Sequence, residues 1–265
     1  MPGERGDDGA GPDGAGPDGA GPDGAGPDGA GPDGLVPRHL ILSVVIGSRA
    51  YGLATAASDV DRRGVFVAPT PMFWRLDKPP THVEGPRPEE FSWEVERFCA
   101  LALEANPTVL ECLWSPHVEH VTETGARLLA IRKAFLSVRA ERSFIRYADT
   151  QFRRITPERP KWKQVMHMIR LLISGRHLMR EGEPLVDMAE HRERLLAVRR
   201  GEVPWPEIVR WRDDLLAGLV ADPARAAYGG GTPGGPGSGG SGVLPAEPDR
   251  ATVEEFLVDV RRSAL

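Results

Sequence analysis

The chain has 265 residues and a net charge of −5, but that charge is unevenly spread. Residues 1–34 carry eight acidic residues against Arg5, a local charge of −7, which leaves +2 on the remainder. No apolar run approaches the ~20 residues of a transmembrane helix, and no basic-then-apolar leader is seen, so a cytoplasmic protein without membrane contact is expected. The two cysteines, Cys99 and Cys112, lack metal-ligand spacing and read as reduced core thiols.

From Gly11 to Gly34 the unit Gly-Pro-Asp-Gly occurs five times. Such a tract has almost nothing to bury and cannot offset its ordering entropy, so residues 1–34 are expected to form a disordered tail. The first foldable element is the β-branched run from His39 to Ile46, a buried strand bounded by Gly47. No helix is expected before it, because the tract occupies that place. Gly47-Ser-Arg-Ala-Tyr-Gly52 follows as a turn opening a short helix. Ser58-Asp-Val-Asp61 leads to a second strand over 64–68, stopped by Pro69 and Pro71. The segment 77–88 holds four prolines and reads as loop. Alternation over 91–95 predicts a third strand.

From Glu96 the apolar period is helical. Helices are predicted over 96–105, 108–113, 125–135, 142–155, 161–179 and 191–200. A Gly-rich linker spans 229–246, and 247–265 ends in a short helix with Thr252 as its N-cap. The expected fold class is α+β: a small mixed sheet core over 35–116, then a helical part over 117–228.

The informative constellation is Gly47-Ser48 with Asp59 and Asp61. A glycine lets backbone amides approach a phosphate closely, and the Ser48 hydroxyl can donate to a phosphate oxygen. A helix starting after Ser48 would add positive potential. In a strand, Asp59 and Asp61 would project from one face, two hard oxygen donors suited to Mg²⁺ or Mn²⁺. Together these parts suit metal-assisted phosphoryl or nucleotidyl transfer. Taken singly, each also fits an ordinary turn or a solvated strand end. Two further stripes have helical spacing: Tyr147, Gln151 and Arg154, then Lys163, His167 and Arg170. They could bind a base, a triphosphate or an RNA backbone, or be solvated faces.

Gly47-Ser48-Arg49-Ala50-Tyr51-Gly52 with Ser58-Asp59-Val60-Asp61-Arg62-Arg63-Gly64 resembles the signature of the DNA polymerase β-like nucleotidyltransferase superfamily. Trp93-Glu94, Asn106-Pro107 with Leu110-Glu111, and Ser115-Pro116 are similar to the group linked to RNA repair. The resemblance covers roughly His39 to Glu202. It implies a polymerase β palm-like core and a third carboxylate before Trp93-Glu94, with Glu89 preferred to Glu90. Asp59, Asp61 and Glu89 would then be both catalytic and metal ligands. Gly47, Ser48, Arg49, Arg63, Tyr147, Gln151, Lys163, His167 and Arg170 would contact the nucleotide. Arg63 equally fits an ion pair with the neighbouring acids.

The implied reaction moves an NMP from an NTP to an acceptor hydroxyl, RNA being one candidate acceptor. The alternatives are an inactive nucleotide-binding or RNA-binding module, and an enzyme that nucleotidylates protein hydroxyls.

Overall fold

The computed structural model describes residues 32–56, 58–220 and 244–265. The expected tail over 1–34 and linker over 229–246 therefore lie outside the described residues, except at 32–34 and 244–246.

Helix α1, Pro32–His39, stands directly before the first strand. This corrects the expectation that no helix precedes it, and it takes residues 32–34 out of the expected tail. Buried Leu35 packs with Phe66, Ala68 and Val83, flanked by Val36, Met72 and Phe73. This small cluster covers one side of the sheet.

Five strands follow: β1 Leu40–Ile46, β2 Asp61–Phe66, β3 His82–Glu84, β4 Glu90–Glu94 and β5 Val118–Val121. Their order is β3-β4-β2-β1-β5. β2 runs parallel to β4, and the other neighbours pair antiparallel. The mixed sheet matches the α+β expectation. β1 is buried on both faces, with Leu42, Val44 and Ile46 in the main core and Val45 on the opposite side, which explains its nearly unbroken apolar run. β2 starts three residues earlier than predicted, because Asp61-Arg62-Arg63 pairs with β1 despite its polarity. β3 and β5 were not expected. Each is too short for a readable period, and β5 is exposed along its whole length. Because β5 joins the sheet, the boundary expected at 116 is corrected to a point beyond Val121.

The helices are α2 Gly47–Ala50, α3 Val95–Leu103, α4 Pro107–Leu113, α5 Glu123–Ala130, α6 Arg139–Arg153, α7 Trp162–Glu181, α8 Arg192–Arg199, α9 Trp205–Val220 and α10 Arg250–Ser263. Local chemistry sets their ends. The Asn106 side chain accepts from Val109 N and Pro107 occupies the first turn of α4. Thr122 caps α5 by accepting from Gly125 N. Gly182, at φ +76°, closes α7. α9 was not foreseen. α10 was, although its cap is Asp249, which accepts from Thr252 N, rather than Thr252 itself.

α7 is the central helix, buried at Val165, Met168, Ile169, Leu172 and Leu178. One apolar core runs from Leu42 and Val44 on the sheet through Leu110 and α7 to Ile208 and Leu215 of α9. The helical part is therefore built on the sheet rather than beside it.

α10 returns to the sheet with Val253, Phe256 and Val260 buried at i, i+3 and i+7. Near its end Arg261 forks onto Glu94, with Nη1–Oε1 at 2.8 Å and Nη2–Oε2 at 2.9 Å. Glu94 is buried and also accepts from Ala68 N and Glu96 N, so it caps α3 while it binds α10. Arg261→Ala leaves this carboxylate without its cation. It is expected to cost about 2–3 kcal/mol, since removing one partner of a largely buried pair is strongly destabilising. The exposed pair between Arg127 of α5 and Asp259 of α10 should yield less than ~1 kcal/mol on Arg127→Ala. Urea unfolding of the two variants measures the contrast.

Candidate functional site

The site is built where β1 ends. Ile46 pairs with Asp61, so the strand's last residue lies opposite the first of β2. The chain then turns through Gly47 at φ +71°, a conformation that strains any residue with a Cβ. A Cβ there would also overlap the Asp61 carboxylate, Oδ2 first. Glycine is required at 47 on both counts, and its absent side chain is the cradle that admits Asp61.

The turn is closed by Tyr51 N to Gly47 O at 3.0 Å, Gly52 N to Arg49 O at 3.1 Å and Leu53 N to Ser48 O at 2.8 Å. α2 has only four residues, too few to sum a useful dipole. The expected helix-terminus potential is therefore corrected: the turn offers single backbone amides and the half-buried Ser48 rather than a summed dipole.

The two aspartates are placed differently. Asp61 is the first residue of β2, half-buried. Asp59 is exposed in the irregular segment before the strand, so the strand-periodicity argument for a shared face does not apply to it. Arg49 holds this segment. Its Nε donates to Asp59 O at 3.2 Å and its Nη2 to Ser58 O at 3.0 Å.

The sheet register sorts the two glutamates. Arg62 pairs with Glu90 and Arg63 with Phe91 across β2–β4, and paired residues share a face. Glu90 is thus on the Arg62 side, within ion-pair range of Arg62 at 3.9 Å and Arg87 at 3.5 Å. Glu89, one step earlier, lies in the turn before β4 and outside the ladder, and after Glu119 and Glu90 its charge also acts on Arg62. Arg62 N donates to Glu89 O at 2.9 Å and Arg63 Nη1 to the same oxygen at 3.1 Å. Arg63 is thereby directed to backbone carbonyls and not to a neighbouring carboxylate.

Asp59, Asp61 and Glu89 are hard oxygen donors of the kind Mg²⁺ or Mn²⁺ takes, and the Gly47 cradle seats one of them. Among the described residues no three His, Cys, Asp or Glu side chains stand close enough together to hold an ion as a set.

Of the two helical stripes, the one on α7 runs inward and the one on α6 does not. On α6, Tyr147 is half-buried, Gln151 buried and Arg154 exposed. On α7, Lys163 is exposed, His167 half-buried and Arg170 fully buried. Arg170 as a nucleotide contact is corrected by this burial. Its Nη1 binds Glu111 Oε1 at 2.6 Å, its Nη2 lies 3.2 Å from His167 Nδ1, and its guanidinium carbon sits 3.7 Å from the Tyr51 ring centroid. Tyr51 donates its hydroxyl to Glu111 Oε2 at 2.7 Å. Spacing alone could not show which side of α7 faced inward. Tyr51 and Glu111 lie inside the motifs quoted above, yet nothing in the sequence assigned them a role. Segment 187–192 was also missed: Met188 N donates to Tyr51 O at 3.1 Å, and Arg192 donates to Gly52 O.

Burial, then the positive charges of Arg170 and Lys163, hold the His167 pKa well below its ordinary value. Burial pushes Cys99 and Cys112 up to about 12, so neither thiol is a nucleophile at neutral pH.

For His167 the folded chain stays neutral while the unfolded chain takes a proton below about pH 6.5. Its share of stability is complete above that value and is lost as pH falls below it. His167→Gln is expected to reduce the loss of urea midpoint between about pH 7.5 and 5.5. An unchanged acid sensitivity would contradict this assignment.

No curated protein and no solved structure gives a significant match to the chain. A family model described as RNA repair pathway DNA polymerase beta family matches residues 36–216, which spans β1 through most of α9 and includes the whole Gly47–Asp61 constellation. More than half of the chain is covered, and a nucleotidyltransferase-type function follows at that level. The chain belongs to the RNA repair pathway DNA polymerase beta family.

Proposed function

We propose that the chain is a metal-dependent nucleotidyltransferase that moves an NMP from an NTP to an acceptor hydroxyl, with RNA as the candidate acceptor. The observation that carries this reading is the seating of Asp61 against Gly47, which joins a carboxylate to the Gly47–Ser48 turn within a polymerase β-type fold. Asp59, Asp61 and Glu89 are the acids that would supply oxygens to Mg²⁺ or Mn²⁺, with the triphosphate as a further donor, since they form no ligand set by themselves. When bound, the divalent ion supplies charge neutralisation on the phosphates and lowers the pKa of the acceptor hydroxyl.

The chain's own groups do the rest. The Gly47 and Ser48 amides and the Ser48 hydroxyl bind and orient the triphosphate. Lys163, exposed on α7, offers an ammonium to the same anion. Arg49 acts indirectly, by fixing the segment that carries Asp59. Glu89 accepts the proton from the acceptor hydroxyl. The hydroxyl oxygen bonds to the α-phosphorus as the bond to pyrophosphate breaks, and pyrophosphate leaves with the electron pair.

One observation favours a second reading, a nucleotide-binding module without transfer: the carboxylates are not gathered into a ligand set among the described residues. Mg²⁺-dependent ATP binding without pyrophosphate release would establish that alternative.

The test is incubation with NTPs labelled at the α-phosphate, following label into RNA, protein or small molecules. Asp61→Asn and Glu89→Gln are expected to lower transfer by at least about 10²-fold, the scale of a lost acid–base or charge-stabilising group. Their melting temperatures should stay close to wild type, because each amide has nearly the shape of the carboxylate it replaces. Glu90→Gln, on the opposite face, should retain transfer. Equal transfer by Asp61→Asn and wild type would end the proposal.

A further inference from the structure

We propose that Tyr51, Glu111 and Arg170 form a buried positioning relay that sets the Gly47–Ser48 turn from the helical part and fixes the tautomer of His167. The inference rests on the nucleotidyltransferase reading for its effect on substrate. Its geometry stands apart from that reading.

α2 is a single turn of four residues. Helix nucleation is unfavourable and one turn cannot stabilise itself, so its position must come from contacts outside it. Those contacts converge on Tyr51. Its carbonyl accepts from Met188 N, the next carbonyl accepts from Arg192, its hydroxyl binds Glu111 and its ring lies against Arg170. Through Tyr51 N to Gly47 O and Leu53 N to Ser48 O, the same residue and its neighbours govern the peptide groups at 47 and 48. The phosphate-side turn is therefore suspended from α4, α7 and segment 188–192.

Arg170 makes a second commitment. A guanidinium has donors only, so at 3.2 Å from its Nη2 the His167 Nδ1 must accept. The ring proton then resides on Nε2. An imidazolium would set N–H against N–H at this contact, so the ring is kept uncharged. His167 is thus held as an Nε2–H donor, one helical turn from the exposed ammonium of Lys163. One buried cation orders the turn on one side and a neutral donor on the other.

Tyr51, Glu111 and Arg170 touch no reacting atom in this scheme. They are positioning residues, and their loss should act on NTP binding before chemistry. Arg170→Met strands the Glu111 carboxylate in the core and is expected to unfold the chain, so Tyr51→Phe is the decisive variant. It keeps the ring beneath the guanidinium and removes only the hydroxyl bond to Glu111. Its KM for NTP should rise about tenfold, the scale of one charge-assisted hydrogen bond, and by more than any fall in kcat.

The companion measurement needs no turnover: ¹⁵N resonances of histidine-labelled full-length protein. The expected result for wild type is His167 unprotonated at Nδ1 and protonated at Nε2 at neutral pH. A lowered melting temperature in Tyr51→Phe with KM and kcat unchanged would reduce the hydroxyl bond to packing and overturn the relay. So would a wild-type His167 protonated at Nδ1. If wild type transfers no nucleotide, the functional reading fails, and the tautomer still decides whether the relay exists.

Discussion

An arginine cannot shed its charge, and Arg170 carries that charge where no surface is exposed. Burial of a lone guanidinium is prohibitive, so the fold around it must deliver an anion and hold it. Glu111 is that anion, and it is as inaccessible as its partner. Glu111 lies on α4, which packs on the sheet, whereas Arg170 lies on α7, the centre of the helical part. The pair therefore forces sheet and helices into one arrangement. Apolar packing alone tolerates small slides between elements, but a 2.6 Å charge contact with a tyrosine bridging it does not. The constraint is specific rather than generously stabilising, since a well-packed apolar substitute for both partners could match its energy.

A second buried carboxylate repeats the device at the other end of the molecule. Glu94 caps α3 through Glu96 N and receives Arg261 from α10, far along the chain. Both glutamates thus fix a helix to the sheet and draw an arginine from a late element. The two differ in what they restrain. Glu94 fastens the terminal helix, which lies outside the family match, to the strand before α3. Glu111 reaches through Tyr51 to the turn beside Asp61. The first pair works on the closure of the fold, the second on the geometry of the candidate site.

The sequence displayed elements whose own residues carry a period. β1 was visible because a central strand is apolar on both faces. α3 and α6 were visible because they alternate buried and exposed stripes, and α4 and α7 because apolar residues recur around most of each helix. The Gly47-Ser48 turn was legible because glycine marks a backbone conformation. What stayed hidden depends on partners. Asp61-Arg62-Arg63 is polar and becomes strand only because β1 and β4 lie on either side. β3 and β5 have three and four residues and owe their existence to a neighbour's unpaired edge. α1 was obscured by the glycine- and proline-rich tract that leads into it. Lys163, His167 and Arg170 share a stripe by arithmetic, yet arithmetic cannot say that the stripe descends from solvent into the core. A charge inside was the least expected outcome, because the matching Glu111 lies 59 residues away.

The choice between Glu89 and Glu90 shows how register converts an ambiguity of sequence into a physical distinction. Adjacent residues entering a strand point to opposite faces, so at most one of the two can share the side of Asp61. Pairing of Arg62 with Glu90 assigns Glu90 to the opposite face, where Arg62 and Arg87 compensate its charge. Glu89 lies outside the ladder, and its backbone oxygen is gripped by two donors, Arg62 N and Arg63 Nη1. That grip matters because Glu89 precedes the strand proper and would otherwise move with the loop. Arg63 does for Glu89 what Arg49 does for Asp59: each arginine donates to the main chain of an acid. A direct arginine–carboxylate pair would favour the charged acid but occupy the oxygens a metal or a proton needs. Donation to the main chain places the segments that carry Asp59 and Glu89 without a bidentate arginine on either carboxylate.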